Sequence, residues 1–277
     1  MKKVTINTLL EMKKNREKIT MLTVYDTPSA RMLEEAEIDI ALVGDSLGNA
    51  VLGYANTLPV TMDEMIIHTA AVSRGLSKPL LVGDMPFLSY QAGIPEAVKN
   101  AGRFFKEGMA EAVKLEGGRE YADVVKALIN AGMPVMGHLG LTPQSVNQFG
   151  GFKLQGTDER SAAKLLQDSQ ILEEAGCFSI VLECVPDRLA GVIASKLMIP
   201  VIGIGAGPDC DGQVLVWHDV LGLSGREYKH NKRYAELTKP ITDALKKYKE
   251  EVRGKEFPAK DNSFPMEDAV FESLFWE

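Results

Sequence analysis

Short apolar runs alternate along the chain with longer segments of 3.6-residue periodicity. The runs fall at residues 21–25, 40–43, 80–83, 112–115, 135–137, 179–182, 201–204 and 214–217. Most end in a polar or glycine residue, and a loop and then an amphipathic helix follow. That alternation predicts a parallel sheet with helical crossovers, and eight strands is the number that closes a (β/α)8, TIM-type barrel. Turn and cap residues agree with it. Thr61 and Glu64 form a capping box before a helix over 62–74, which Gly75 stops. Pro28, Pro95 and Pro186 stand at first-turn positions, and Gly108, Gly132 and Gly176 at C-terminal caps.

Three stretches break the repeat. The link 204–214 is too short for a full crossover helix. The links 46–60 and 139–157 are long, and long loops in a compact domain usually serve a site. Past Gly225, residues 232–252 predict a charged helix, and 253–277 a tail with two prolines and a late aromatic cluster that packs on the barrel or on a neighbouring subunit. The expectation is one domain: an N-terminal helical segment at 1–18, the barrel at 19–225 and a C-terminal helix and tail at 226–277.

Composition narrows the function. A net charge of -7 argues against nucleic acid and against an anionic membrane surface. No apolar run reaches the roughly 18 residues of a membrane span, and residues 1–20 lack the apolar core of a signal peptide. Cys177, Cys184 and Cys210 form no paired or zinc-type spacing, which fits a reducing cytoplasm.

The chemistry lies at the strand ends. Side chains alternate along a strand, so Ala112, Lys114 and Glu116 share a face, as do Leu80, Val82 and Asp84. The same count groups Ala41, Val43 and Asp45, then Pro134, Met136 and His138, and Ser179, Val181 and Glu183. Five strands thus finish in an ionisable residue at the C-terminal end, where barrel active sites lie. One such carboxylate often does no more than cap a helix or pair with a neighbouring cation. Four of them, Asp45, Asp84, Glu116 and Glu183, repel one another unless a cation or shared proton is present. Oxygen ligands without paired Cys or His favour a hard ion such as magnesium. A 2-oxo acid would complete its shell, the ion would acidify the adjacent C–H as a Lewis acid, and a carboxylate not tied to the metal could take the proton. Lys114 could meet the substrate carboxylate or the developing oxyanion.

Other signals have bland readings. The run Ile204-Gly205-Ala206-Gly207 has the glycines of a phosphate-binding turn but no helix after it, so a tight strand exit is preferred. His68 reads as a packed helix residue and Cys184 as packed rather than nucleophilic. His218 and Asp219 read as capping or local hydrogen bonding, and 246–255 as a solvated helix face.

Longer motifs carry a resemblance. The segments Val43-Gly44-Asp45-Ser46-Leu47-Gly48 and Thr57-Leu58-Pro59-Val60-Thr61 resemble the opening motifs of the ketopantoate hydroxymethyltransferase family. Asp84-Met85-Pro86-Phe87, Val113-Lys114-Leu115-Glu116-Gly117-Gly118 and the stretch from Gly137 to Ser145 follow in the family's order. Then come Phe149-Gly150-Gly151-Phe152-Lys153-Leu154-Gln155-Gly156, Leu182-Glu183-Cys184-Val185-Pro186, the run from Ile202 to Gly207, and Asp211-Gly212-Gln213. The resemblance extends to about Gly225. It implies hydroxymethyl transfer from 5,10-methylenetetrahydrofolate to 3-methyl-2-oxobutanoate, giving 2-dehydropantoate for pantothenate and coenzyme A, through a magnesium-stabilised enolate. It implies Mg2+ held by Asp45, Asp84 and Glu116, substrate contacts from Asp45, Ser46, Asp84, Lys114 and His138, and Glu183 as the base. It further implies a cytoplasmic homo-oligomer, often a decamer. Asn49 and the pair Ala55-Asn56 depart from the family pattern, all within the 46–60 loop. That loop and 139–157 are expected to cover the folate. The nearest rival is a magnesium-dependent carbon–carbon lyase or mutase of the phosphoenolpyruvate/isocitrate type, which would want a cysteine-bearing loop or extra arginines. Residues 139–157 contain neither. A non-catalytic metabolite-binding barrel would have no use for the inward Lys–Glu pair.

Overall fold

The computed structural model describes residues 2–151, 153–225 and 228–275. Eight parallel strands close a barrel in sequence order: β1 (Ile19–Thr23), β2 (Ile40–Val43), β3 (Leu80–Asp84), β4 (Ala112–Glu116), β5 (Val135–Gly140), β6 (Ser179–Glu183), β7 (Val201–Ile204) and β8 (Gly212–Leu215). All eight predicted runs are strands, although β1 and β8 each start two residues earlier than the apolar pattern suggests. Their pairing with each other, from Ile19 opposite Gly212 to Leu22 opposite Leu215, fixes those ends. Phe152, in one of the family-like motifs, lies outside the described residues, as do Met1, Arg226, Glu227 and the last two residues of the tail.

Two apolar layers result. Inside the barrel, Ile19, Met21, Ile40, Leu42, Leu80, Val82, Ala112, Met136, Val181, Ile202 and Val214 form one buried cluster. Outside it, Leu81, Val113, Leu115, Val135, Ile180, Leu182 and Val201 pack with the crossover helices in a second. Val4 and Leu9 belong to the inner cluster, so the N-terminal helix Ile6–Asn15 closes the barrel end opposite the strand C-termini.

The expected inner faces hold for β3, β4, β5 and β6. They do not hold for β2: Ala41 and Val43 pack outward, and Ile40 and Leu42 inward. The strand stops at Val43, however. Past Gly44 the chain is no longer extended, so strand parity does not govern Asp45.

The capping box at Thr61 and Glu64 is present, with the helix spanning Met62–Ser73. Pro28 and Pro95 sit in first turns, whereas Pro186 is the N-cap of Asp187–Lys196. Gly176 caps Glu159–Ala175 in the left-handed conformation and Gly132 is left-handed one residue past the cap. At the end of Ile94–Lys106 the left-handed residue is Met109 rather than Gly108.

Between β7 and β8 there is no helix, and Gly205 and Gly207 take the tight exit with positive φ. The C-terminal helix spans Thr238–Gly254, not 232–252. Pro240 suits a first turn, and the preceding stretch is tied down instead, Tyr234 and Leu237 donating their N–H groups to the carbonyls of Val220 and Leu221. That helix buries no residue. Its apolar stripe of Ile241, Leu245, Tyr248 and Val252 is 42–64% exposed. Thr20 of β1 and Gln213 of β8 are likewise exposed on the barrel's outer face. Among the described residues no helix is long and apolar enough to cross a membrane.

Candidate active site

Strand register assembles the mouth. Asp84 is the register partner of Lys114, Glu116 of His138, and Gly140 of Glu183. A parallel register places neighbouring strand ends side by side, so the inward residues of β3 to β6 gather at one end of the barrel. Lys114 Nζ lies 2.8 Å from Asp84 Oδ1 and 3.3 Å from His138 Nδ1. His138 Nδ1 is 3.4 Å from Glu116 Oε1, and its Nε2 is 3.3 Å from Glu183 Oε2. Asp45 joins from the turn after β2, its backbone N–H donating to Asp84 Oδ2 at 3.3 Å.

Ser46, beside it, shares a 2.9 Å hydrogen bond with the Tyr25 hydroxyl. The side chains of Asp84, Lys114, Glu116 and His138 are at most 5% exposed, while Glu183 is 17% exposed. All the residues anticipated from strand ends therefore meet at one mouth, Ser46 at its edge.

Burial sets the electrostatics. Removal from water, with Asp84 and Glu116 close by, raises Asp45 well above the ordinary carboxylate range. Burial also raises Asp84, against the pull of Lys114. Burial works to discharge Lys114, but Asp84, Glu116 and Asp45 prevail and push it up to about 12. At His138, burial and Lys114 favour the neutral ring; the hydrogen-bonding carboxylates Glu116 and Glu183 overcome them and push it up to about 9.

Three residues that strand parity missed complete the site. Gln144, on the Pro143–Ser145 turn after β5, donates its backbone N–H to Glu116 Oε2 (2.9 Å) and its side-chain amide to Asp45 Oδ2 (3.0 Å). The Tyr90 hydroxyl accepts from the Glu116 N–H (3.1 Å), and Tyr25 holds Ser46. Gln144 and Tyr90 lie in loops, where alternation gives no signal, and Tyr25 ends the predicted run 21–25 without an ionisable group to single it out at neutral pH. Gln144 is marked in the sequence by the long 139–157 link and by the family-like stretch from Gly137 to Ser145.

The weaker signals take their bland readings. His68 Nδ1 meets the Tyr25 carbonyl at 2.6 Å. Burial pushes the half-buried Cys184 thiol up to about 11, which disfavours a nucleophile. The exception is His218, in the short helix Trp217–Val220: that helix has no side-chain cap, His218 Nδ1 is buried without a hydrogen-bond partner among the described residues, and the ring instead lies 5.6 Å from that of Tyr25. Asn49 and Asn56, which depart from the family pattern, bond to Tyr54 O and Leu58 N and so brace their own loop.

Among the described residues, no three His, Cys, Asp or Glu side chains stand together as a ready metal-ligating group. Lys114 and Gln144 already hold Asp84 and Asp45. The donor set nevertheless fits a hard cation. Counted as charges, four carboxylates against Lys114 and a protonated His138 leave two negative charges. Magnesium needs only one or two protein carboxylates when substrate and water supply the rest.

A sequence model of ketopantoate hydroxymethyltransferase matches residues 3–260. The chain belongs to the ketopantoate hydroxymethyltransferase family. It is therefore an enzyme, a one-carbon transferase, and the lyase or mutase alternative falls away. The 3-methyl-2-oxobutanoate hydroxymethyltransferase of Carboxydothermus hydrogenoformans is 54% identical over 99% of this chain and 100% of its own length. That of Moorella thermoacetica is 56% identical over 95% of this chain and 98% of its own. Among solved structures, phosphonopyruvate hydrolase superposes with a TM-score of 0.62 at 12% identity, over 98% of this chain and 95% of that one. A 2,3-dimethylmalate lyase does so at 0.57 and 17%, over 97% and 93%. At such identities the likeness to this hydroxymethyltransferase family member is one of barrel fold alone.

Proposed function

We propose that this transferase moves a hydroxymethyl group from 5,10-methylenetetrahydrofolate to 3-methyl-2-oxobutanoate, giving 2-dehydropantoate, with magnesium as its metal and Glu183 as its base. The acceptor is the one named for relatives 52–56% identical to it. The observation that carries the mechanism is the division of the mouth's carboxylates. Asp45, Asp84 and Glu116 are buried and engaged with Lys114, Gln144 and His138. Glu183 stands across His138 from them and is partly open.

Asp45, Asp84 and Glu116 would hold the magnesium ion. When bound, it would polarise the 2-oxo group and so acidify the C3–H bond. Glu183 takes the C3 proton. Water cleaves both C–N bonds of the folate's methylene bridge, so that tetrahydrofolate leaves and the one-carbon unit stands as formaldehyde; the electron pair left at C3 forms the bond to that carbon, and the alkoxide produced takes the proton held by Glu183. Lys114 neutralises the substrate carboxylate or the oxyanion that grows as the proton departs. His138, within reach of both Glu116 and Glu183, and Ser46, held by Tyr25, contact the substrate.

The test is proton NMR of 3-methyl-2-oxobutanoate in heavy water with enzyme and magnesium and no folate. The C3 proton signal should disappear, a chelator should prevent this, and Glu183→Gln should slow it by about a hundred-fold or more. Full exchange by Glu183→Gln would remove Glu183 as the base. No exchange by the wild type would remove a folate-independent proton transfer.

A cytoplasmic homo-oligomer, the decamer implied by the family resemblance, completes the reading. The exposed stripe Ile241, Leu245, Tyr248 and Val252 supports association, and the absence of any cysteine pair supports a reducing compartment.

A further inference from the structure

Gln144 reaches two of the three buried carboxylates. Its backbone N–H serves Glu116 Oε2 at 2.9 Å and its side-chain Nε2 serves Asp45 Oδ2 at 3.0 Å. Glu116 comes from β4 and Asp45 from the turn after β2, so the two groups are otherwise set by different parts of the barrel. The amide itself is held at both ends. Nε2 also donates to the Met85 carbonyl at 2.9 Å. Oε1 lies 3.0 Å from the Tyr90 hydroxyl and 3.2 Å from Gln91 Nε2.

A flipped amide would set Oε1 against the Asp45 carboxylate and the Met85 carbonyl, acceptor against acceptor, and would face the Gln91 donor with another donor. One orientation is therefore strongly preferred. Gln144 is 5% exposed, so water does not replace any of these bonds cheaply.

We infer that Gln144 is a positioning residue: it fixes the orientation and separation of the Asp45 and Glu116 carboxylates, so that a divalent cation meets a preset pair rather than two mobile groups. The inference rests on the proposed metal role of those carboxylates. Gln144 brings no charge and acts through Asp45 and Glu116. A Gln rather than a Lys suits this place, because a second ammonium beside Lys114 would compete with the cation for the same oxygens. Partners that orient metal ligands commonly change metal affinity about ten- to a hundred-fold when removed.

The test uses Mn2+ as a probe, with no substrate present, and follows free Mn2+ by electron paramagnetic resonance in the full-length protein. Gln144→Met keeps the length and packing of the side chain and leaves the backbone bond to Glu116. It should weaken Mn2+ binding by about ten-fold or more. Gln91→Ala removes one anchor of Oε1 and touches no carboxylate, and should weaken it in the same direction by less. Thermal unfolding in chelator reads any purely structural role, which would lower the midpoint and leave Mn2+ affinity unchanged. Wild-type affinity in folded Gln144→Met overturns the inference. If that variant does not fold, wild-type affinity in Gln91→Ala overturns it. A wild-type protein that binds no Mn2+ overturns instead the metal reading beneath it.

Discussion

Replacing Lys114 with methionine tests the charge arrangement of the mouth directly. The ammonium is 5% exposed, lies 2.8 Å from Asp84 Oδ1, and stays charged well above neutral pH because Asp84, Glu116 and Asp45 outweigh its burial. Methionine fills most of the same volume, so the loss is one of charge. Removing one partner of a buried pair typically costs about 3–5 kcal/mol. An independent route gives a similar figure. Without Lys114, a neighbouring carboxylate must keep a proton in the folded state. Against an unfolded-state pKa of about 3.9, holding that proton costs about 4 kcal/mol at pH 7 and about 2 kcal/mol at pH 5.5, at 1.36 kcal/mol per pH unit.

The sign follows from proton binding. Burial already raises Asp45 and Asp84 in the folded state, and removing a cation raises them further. The folded variant then binds more protons than the unfolded chain, so its stability rises as pH falls. Equilibrium urea unfolding, followed by circular dichroism in chelator at equal protomer concentration, should show a deficit against wild type of about 4 kcal/mol at pH 7 that shrinks to about 2 at pH 5.5. A variant as stable as wild type at pH 7, or a deficit that widens on acidification, would refute the reasoning.

Two further outcomes are expected. Gly140 has φ +92, and a Cβ there would come 2.2 Å from the Glu183 carbonyl oxygen. Gly140→Ala should cost about 1–2 kcal/mol in left-handed strain alone and displace Glu183, the proposed base, slowing C3 proton exchange by about ten-fold or more while Mn2+ binding holds; normal exchange would show that Glu183 tolerates the shift. Leu245→Glu puts a charge into the exposed helix stripe and should reduce the assembly mass measured by size-exclusion chromatography with light scattering; an unchanged mass would place the subunit contacts elsewhere.

The sequence made the barrel legible because its period is local. Each strand is a short apolar run bounded by turn chemistry, and some crossover helices carry their own side-chain caps, as at Thr61 and Glu64. The ionisable residues of β3 to β6 were legible for the same reason: strand parity alone turns Asp84, Lys114, Glu116, His138 and Glu183 inward. Asp45 reaches the mouth by a route other than parity: β2 ends at Val43, with Ala41 and Val43 facing the helices, and the turn after Gly44 brings Asp45 beside Asp84. The C-terminal helix was displaced by six residues at its start because 232–237 carry helix-like charge but are bonded to the Val220 and Leu221 carbonyls.

By itself, then, the amino-acid order determined the fold class, the end of the barrel where ionisable groups gather and most of those groups, since alternation and capping are properties of neighbours along the chain. Tertiary structure decided what no local period encodes. The register that sets Asp84 beside Lys114 and Glu116 beside His138 comes from pairing between strands. The bridge from Gln144 to Asp45 spans 99 positions. The proton affinities at the mouth depend on burial, which exists only once the barrel has closed and water has left.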